Sequence, residues 1–291
     1  MRRQPSDADW SAVACSRADF VRTVHAQGEA HYRDLPWRNI DDPYAVLVSE
    51  VMLQQTQVVR VLDYWPRFMA AFPTVDALAA ATSADVLEFW QGLGYNRRAL
   101  ALKSCCDTCS ERWAGTLPDD YDQLVALPGI GPATAAGVLA FAYGKPGVYL
   151  ETNVRSVFLH HLFPDAEAVS DRVLEPYVVD TCPDQGARAW YYALLDYGAY
   201  LKSQGINPSR RSAHYARQSR FEGSRREKRS FILRSVLASD AGLPVAQAAA
   251  LLDENERAHG REAVDPALFA DLVAELAREG FFRNEDGMLI A

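Results

Sequence analysis

From residue 10 to residue 202 the chain alternates apolar and polar positions mainly with a helical period. Between residues 58 and 69, apolar residues recur at spacings of three and four, which predicts an amphipathic helix. Proline and glycine separate the periodic stretches, as at Pro73, Pro118 and Pro146-Gly147. Because no run in this region has the alternation typical of strands, the pattern predicts an all-α fold.

The C-terminal tail has a different pattern. It predicts helices over 228–238, 243–252 and 266–279, followed by a β-hairpin over 280–291. Asp286-Gly287 is a two-residue turn signal between short apolar strands. Three helices closed by a hairpin indicate a small winged-helix-like module.

Composition and length suit a folded protein that stays out of the membrane. With 291 residues, 49% of them hydrophobic, the chain is long enough for two domains. No apolar run approaches the roughly 20 residues of a membrane span, and the first residues lack the apolar core of a signal peptide. We expect a cytoplasmic protein. Of five cysteines, only Cys106 and Cys109 have a metal-like spacing, with no second pair to complete a site, so we expect core thiols.

Charge is unevenly distributed. The formal net charge is -8, yet residues 207–230 hold eight Lys or Arg against two Glu, which leaves this segment at +6 and the remainder at -14. A basic patch on an acidic body can bind a polyanion through local phosphate contacts. The alternative is a solvated linker.

Leu127-Pro-Gly-Ile-Gly131 joins a short predicted helix at 121–126 to an Ala-rich helix at 132–143. Two glycines permit a tight hairpin whose amides point outward beside a helix N-terminus. This arrangement predicts an anion site that would bind phosphate without reading sequence. An ordinary structural turn is the alternative.

Eight ordered motifs between residues 34 and 202 resemble the helix-hairpin-helix DNA glycosylase superfamily, and most closely the MutY adenine glycosylases. They are Leu35-Pro-Trp-Arg38, Pro43-Tyr44, Ser49-Glu-Val-Met-Leu-Gln-Gln-Thr-Gln-Val58, Phe72-Pro-Thr74, Gly92-Leu-Gly-Tyr95, Leu127-Pro-Gly-Ile-Gly131, Leu150-Glu-Thr-Asn-Val154 and Leu195-Asp-Tyr-Gly-Ala199.

The resemblance implies a two-lobed helical fold with a cleft for a flipped nucleotide. We predict a glycosylase domain over 1–222, with a six-helix barrel at about 45–150. The second lobe would combine 1–44 with 151–222, and 223–291 would form the winged-helix-like module.

The catalytic residues implied by the resemblance are Glu50, Glu151 and Asn153. Glu50 would protonate the departing base, with burial raising its pKa; an ordinary solvated glutamate is the alternative. Glu151 stands where the family carries aspartate, as the carboxylate that stabilises the positive sugar, and a helix-capping role is its alternative. Ala133 replaces the lysine of the lyase-type relatives, which implies a monofunctional enzyme that uses water.

Implied DNA contacts fall in three places. Tyr95 matches the aromatic side chain that the family wedges into the base stack, and Gln55 matches the one that fills the vacated space; Asn96 replaces a second tyrosine. The remaining contacts are the hairpin residues Leu127, Gly129 and Gly131, and the basic residues Arg210, Arg211, His214 and Arg217.

Cofactor positions depart from the family. MutY proteins carry cluster cysteines spaced C-x6-C-x2-C-x5-C, and the same count here falls on Lys202, Ser209, Ser212 and Gln218. Since iron-sulfur ligation needs thiolates, we expect no cluster. We expect hydrogen bonds, with Tyr215 and Phe221 packing, to order this loop instead. A structural monovalent cation at the hairpin is the remaining cofactor expectation.

The predicted function is therefore a monofunctional DNA glycosylase of base excision repair that acts on double-stranded DNA. Adenine opposite 8-oxoguanine or guanine is the favoured substrate. A modified or mispaired pyrimidine and a non-catalytic DNA-binding module are the alternatives. The tail does not show the family's 8-oxoguanine-reading domain, and a winged helix could grip flanking duplex instead. We expect a monomer associated with the nucleoid.

Overall fold

The computed structural model describes residues 7–213, 215, 220–239 and 241–291. Up to residue 213 the helices are α1 (Arg17–Ala30), α2 (Pro43–Leu53), α3 (Val58–Ala71), α4 (Val75–Ala80), α5 (Ser83–Trp90), α6 (Arg97–Trp113), α7 (Tyr121–Val125), α8 (Pro132–Phe141), α9 (Thr152–Leu162), α10 (Asp171–Thr181), α11 (Ala187–Ser203) and a 3-10 turn at Pro208–Arg211. The prediction of an all-α region is confirmed. No helix in the described ranges is long and apolar enough to cross a membrane.

Helices α2 to α8 form the first lobe around one apolar core. Leu47, Phe68, Trp90 and Leu102 are fully buried there. Cys105, Cys106 and Cys109 on α6 are free and buried in the same core, as expected of structural thiols.

The second lobe packs α9 against α11 and α11 against α1, so the N-terminal helix joins helices from the chain's middle. Phe20, Phe158 and Trp190 lie in its core. Gly28 permits the close approach of α1 to α11, because a Cβ at this position would overlap with Ala193.

A buried ion pair ties the segment after α1 to α11. Arg38 donates from both terminal nitrogens to Asp196, at 2.7 and 2.8 Å, and Arg33 Nε donates to the same carboxylate at 2.6 Å. Asp196 is only 1% exposed. Such a carboxylate is stable in the interior only while its cationic partners remain.

The tail forms α12 (Arg225–Leu237), β1 (Leu243–Pro244), α13 (Val245–Ala258), α14 (Pro266–Arg278), β2 (Arg283–Glu285) and β3 (Met288–Ile290). The antiparallel sheet has the order β1-β3-β2, which completes a winged-helix-like module. Asp286 and Gly287 have φ of 49° and 80°, so the predicted hairpin turn is confirmed. Strand β1 was not predicted, and α13 continues six residues past the predicted end at 252.

Ion pairs join α14 to α12 within this module and to α6 of the first lobe. Glu279 of α14 accepts hydrogen bonds from Arg97 of α6 at 2.7 Å and from Arg229 of α12 at 2.6 Å. Glu275, one turn earlier, accepts from Arg225 at 2.6 Å and from Arg229 at 2.9 Å. The ion pairs with α14 therefore fix the position of α12 beside the first lobe.

We expect Asp196→Ala to destabilise the fold by about 3 to 5 kcal/mol, because it leaves buried Arg38 without its carboxylate. Asp41→Ala is the matched control, since the Asp41 side chain is 89% exposed although it also pairs with an arginine, Arg188. Asp41→Ala should lower the free energy of unfolding by less than about 1 kcal/mol. Urea unfolding measures both, and equal losses would contradict a structural role for the buried pair.

Candidate functional site

The two lobes enclose a cleft of about 500 Å³. Its walls come from α2 and the loop after it, the start of α8, residues 149–153, α11 and the segment around Arg38. Glu50, Glu151 and Asn153, far apart in sequence, all line this one cavity, together with Gln55 and Ala133. The fold thus brings the predicted catalytic residues together.

Glu50 lies on α2 with its carboxyl group between α8 and Tyr149. The Tyr149 hydroxyl donates to Glu50 Oε2 at 3.1 Å. Gly137 of α8 makes room for this carboxyl group, because a Cβ there would overlap with Oε2. The pKa of Glu50 is raised to about 8, chiefly by burial; the Tyr149 hydrogen bond lowers it, and the charge of Glu151 adds to the increase. The Glu50 carboxyl group is thus protonated near neutral pH.

Glu151 is the N-cap of α9. Its Oε1 accepts from the main-chain amides of Asn153, at 2.6 Å, and Val154, at 3.0 Å. Burial raises the pKa of Glu151 above its ordinary value, while these two amides and the charge of Arg155 act in the opposite direction. The same side chain therefore caps a helix and faces the cleft. The helix-capping role and the predicted catalytic role of Glu151 are thus compatible.

The two carboxyl groups have unlike surroundings. Glu151 sits at a helix N-terminus and accepts amide hydrogen bonds, both of which favour the ionised form. Glu50 is held against a phenol and the helix backbone around Gly137, where desolvation favours the neutral form. One proton shared by the pair would reside on Glu50, which gives an acid beside a carboxylate.

Arg98 was missed by the sequence reasoning. Its Nη1 donates to the carbonyls of Val51 and Met52, at 2.8 and 3.0 Å, and also to that of Gln54. Its Nη2 donates to Gly94 O at 2.9 Å. One guanidinium therefore joins the end of the helix that carries Glu50 to the loop that carries Tyr95.

Gln55 and Tyr95 share an unusual backbone conformation on either side of Arg98. Their φ angles are 54° and 50°, in the left-handed region that side chains other than glycine rarely adopt. Gln55 is exposed at the cleft mouth, whereas Tyr95 is partly buried and its hydroxyl accepts from Arg226 of α12 at 3.1 Å. Strained backbone of this kind is frequent where a fold presents functional side chains.

The hairpin between α7 and α8 has the predicted position. The Leu127 side chain is buried, so any DNA contact of this residue would use its main chain. Gly129 has φ of 72°, and a Cβ there would stand 2.5 Å from Ala101. Gly131 faces open space, and the first intrahelical bond of α8 runs from Ala135 N to Gly131 O, which leaves the preceding amides outside the helical ladder.

The residues of the basic segment, 207–230, have different roles. Arg210 is exposed. Arg211 instead reaches the C-terminus of α9, where Nη1 donates to the carbonyls of Phe163 at 3.1 Å and Pro164 at 2.6 Å. His214 and Arg217 lie outside the described residues. The predicted DNA contact of Arg211 is thus untested, and a structural role has been found for it.

The residues at the cluster positions do not fit an iron-sulfur cluster. Ser209 donates its hydroxyl to Asn207 Oδ1 at 2.5 Å, and Ser212 pairs with Val169 in a parallel β-bridge. Lys202 is exposed, and Gln218 lies outside the described residues. In the part of the chain that the structure describes, no group of three or more His, Cys, Asp and Glu could hold a metal ion.

Hydrogen bonds hold the described part of this loop, as expected, but the predicted aromatic packing is wrong. Tyr215 is 45% exposed and Phe221 is 51% exposed. Contacts with Val169 and with the end of α9 hold the loop instead.

Residues 48–176 match the family model of the HhH-GPD superfamily base excision DNA repair proteins. The helical two-lobed fold and the hairpin agree with this match, which covers less than half of the chain. Curated proteins to which the chain is similar include adenine DNA glycosylases.

Two curated relatives and one solved structure illustrate the similarity. The adenine DNA glycosylase of Mycobacterium tuberculosis (strain CDC 1551 / Oshkosh) is 44% identical over 138 residues, 47% of this chain and 45% of the relative. That of Mycolicibacterium smegmatis is 41% identical over 169 residues, 57% of this chain and 58% of the relative. The chain thus spans about half the length of these relatives.

A solved thermostable thymine-DNA glycosylase has the same fold. It superimposes with a TM-score of 0.56 at 23% identity, over 63% of this chain and 86% of that structure.

Glu50→Gln should change how stability depends on pH. In the folded protein the pKa of Glu50 is about 8, above its ordinary value of 4.5, so the folded state binds more protons than the unfolded state between these values and loses stability as pH rises. Glutamine cannot ionise. The free energy of unfolding of the variant should exceed that of wild type by an amount that grows between pH 4.5 and pH 8 and reaches about 2 to 4 kcal/mol.

Urea unfolding at several pH values within that window measures this gain. Parallel stability curves for wild type and Glu50→Gln would show that the carboxyl group is not held in its neutral form by the fold.

Proposed function

We propose that the protein is a monofunctional adenine DNA glycosylase that acts on double-stranded DNA containing a mispaired adenine, opposite 8-oxoguanine or guanine. The observation that carries this proposal is the Glu50 carboxyl group, held by the Tyr149 hydroxyl at 3.1 Å in the same cleft as the helix-capping Glu151. The names of the curated relatives supply the substrate, since both are adenine DNA glycosylases.

Cleavage of an N-glycosidic bond leaves negative charge on the base and positive charge on the sugar. The neutral Glu50 carboxyl group can donate its proton to a ring nitrogen of the flipped adenine. Glu151 can stabilise the oxocarbenium-like sugar, with its position fixed by the amides of Asn153 and Val154. Asn153 lines the cleft, and its side-chain amide lies 3.5 Å from Glu151 Oε2, so it helps to orient that carboxylate. Water then completes the hydrolysis.

We propose that the enzyme has no lyase step. Ala133, at the position of the lyase lysine, lines the cleft and offers no amine for a Schiff base.

DNA would meet the hairpin and the basic segment. The amides around Gly131 at the start of α8 suit a phosphate, and the exposed Arg210 can add a charged contact. We further propose that the enzyme works without an iron-sulfur cluster, because Ser209 and Ser212 supply no thiolate and are already used in local contacts. A monovalent cation at the hairpin and a monomeric state stay predictions.

We also propose the domain division 1–222 and 223–291. Gly223, with φ of 72°, precedes Ser224, whose hydroxyl accepts from Glu227 N to cap α12, so the boundary coincides with a helix start after an irregular segment.

Excision tests the proposal directly. Duplexes carrying adenine opposite 8-oxoguanine, A:G, G:U, G:T and 5-hydroxymethyluracil are incubated with the protein and treated with alkali to cleave abasic sites. We expect cleavage at adenine, and a loss of at least about 100-fold in Glu50→Gln, because general acid catalysis is removed. Glu151→Gln should also lose activity.

Controls separate chemistry from folding and from lyase activity. Glu88→Gln removes an exposed carboxylate of α5 and should leave excision unchanged. Borohydride should trap no covalent adduct with wild type. Cleavage only at uracil or thymine would show that the substrate is a pyrimidine and not adenine. Full activity of Glu151→Ala would exclude the sugar-stabilising role of Glu151. No cleavage of any duplex would favour a non-catalytic DNA-binding module.

The two neighbouring arginines of the basic segment should respond differently to replacement. Arg210→Ala should weaken duplex binding and reduce the slope of log K against log salt by about 1, because one phosphate contact is lost. Arg211→Ala should instead lower the thermal stability, because α9 loses the guanidinium at its C-terminus. Salt-dependent anisotropy titrations and thermal melts measure these effects, and an unchanged slope for Arg210→Ala would exclude its phosphate contact.

A further inference from the structure

Two consecutive arginines at the start of α6 bind different parts of the molecule. Arg97 donates from Nε to Oε2 of Glu279 in the C-terminal module at 2.7 Å, and from Nη2 to the other oxygen of that carboxylate. Arg98 donates to two carbonyls in the last turn of α2, at 2.8 and 3.0 Å. The first turn of α6 therefore joins the module to the helix that carries Glu50.

The backbone just before these arginines is strained. Tyr95 has φ of 50°, which residues other than glycine rarely adopt. Asn96, the N-cap of α6, caps the helix without a side-chain hydrogen bond. A helix start of this kind opens easily unless contacts from other elements hold it. Arg97 and Arg98, the first two residues of α6, supply such contacts.

The position of Glu279 is explained by its arginine partners and not by its own helix. Glu279 is the C-cap of α14, where the helix dipole disfavours a carboxylate. Arg229 of α12 donates to the same carboxylate at 2.6 Å, and the Glu279 side chain is only 16% exposed. An isolated surface ion pair contributes little, but a bidentate pair within a network keeps a defined geometry.

The module is a firm support because it shares an apolar core with the first lobe. Ile232 of α12 and Phe281 after α14 belong to the same buried cluster as Trp90 and Leu102 of the first lobe. Close-packed cores deform little. Glu279 therefore has a fixed position relative to the barrel, and it can hold the start of α6 there.

We propose that the C-terminal module is a positioning element of the cleft, in which Glu279 acts through Arg97 and Arg98 to hold the end of α2. This inference rests on the proposed function, because it assigns the module to the excision step. The residue directly after the carbonyls that Arg98 binds is Gln55, at the cleft mouth. Glu279 is a positioning residue, and its contribution is to the rate of excision and not to the strength of DNA binding.

Single-turnover excision by the full chain, in excess over a duplex with adenine opposite 8-oxoguanine, tests this role. Glu279→Gln should lower the rate constant about 5- to 10-fold, because small displacements in a catalytic site are costly in rate. The Kd for a duplex with a tetrahydrofuran abasic analogue, measured by anisotropy, should change less than about 2-fold. A loss of rate with an equal loss of binding would contradict the positioning role.

Glu275→Gln is the matched control. Glu275 lies one turn earlier on α14, and its described hydrogen-bond partners, Arg225 and Arg229, both belong to α12. This variant should excise and bind as wild type does. A variant that is partly unfolded would lower the amplitude of the reaction and leave its rate constant unchanged, so the two effects are distinguished.

The double variant Arg97→Gln/Glu279→Gln tests whether the two residues act as one pair. It should be no slower than the slower of the two single variants. A loss equal to the product of the two single losses would show that Arg97 and Glu279 act independently, which overturns the inference.

Amide hydrogen exchange tests the support of the loop without depending on excision. Residues 54–56 and 93–98 should exchange faster in Glu279→Gln than in wild type, and Glu275→Gln should exchange as wild type does. Unchanged exchange or an unchanged rate constant, with normal excision by wild type, overturns this inference alone. A wild type that cuts no duplex overturns the proposed function, and hydrogen exchange then decides whether the module holds the end of α2.

Discussion

Desolvation of the Glu50 carboxyl group is the constraint around which the cleft is built. Helix α8 has to pass so close to this group that only glycine fits at position 137, and the Tyr149 hydroxyl has to be near enough to hold one oxygen. Both lobes therefore contribute to the protonation state of Glu50. Helices α2 and α8 belong to the first lobe, and Tyr149 leads into the second. A shift between the lobes would readmit water and return the acid to its ordinary pKa.

Glu151 is the second carboxyl group of the same cleft. Glutamate is an uncommon N-cap, yet Glu151 accepts hydrogen bonds from two amides at the start of α9. The Arg155–Asp171 ion pair, at 2.7 Å, holds the next turn in place. The start of the helix therefore fixes the position of the Glu151 carboxylate.

The sequence predicted those structural features that depend only on residues close together in the chain. The turn at Asp286-Gly287, the hairpin ending at Gly131 and the start of α9 all follow from residues next to each other in the chain. The structural roles of Arg98 and Arg211 could not be found in this way, because most of their carbonyl partners lie more than 40 residues away. The packing expected of Phe221 was wrong for a related reason: an aromatic residue in a basic loop has no pattern that tells core from surface.

Helix α9 connects the basic segment to the chemistry. Its N-terminus receives Glu151 and its C-terminus receives the Arg211 guanidinium, so each end carries the charge that the helix dipole favours. Arg211 is itself held by the loop in which Val169 and Ser212 pair, the region where the family's cluster ligands would lie. Fastening that loop therefore fixes the far end of the helix whose first turn positions the Glu151 carboxylate. In the described part of this loop, main-chain hydrogen bonds and one guanidinium supply the constraint.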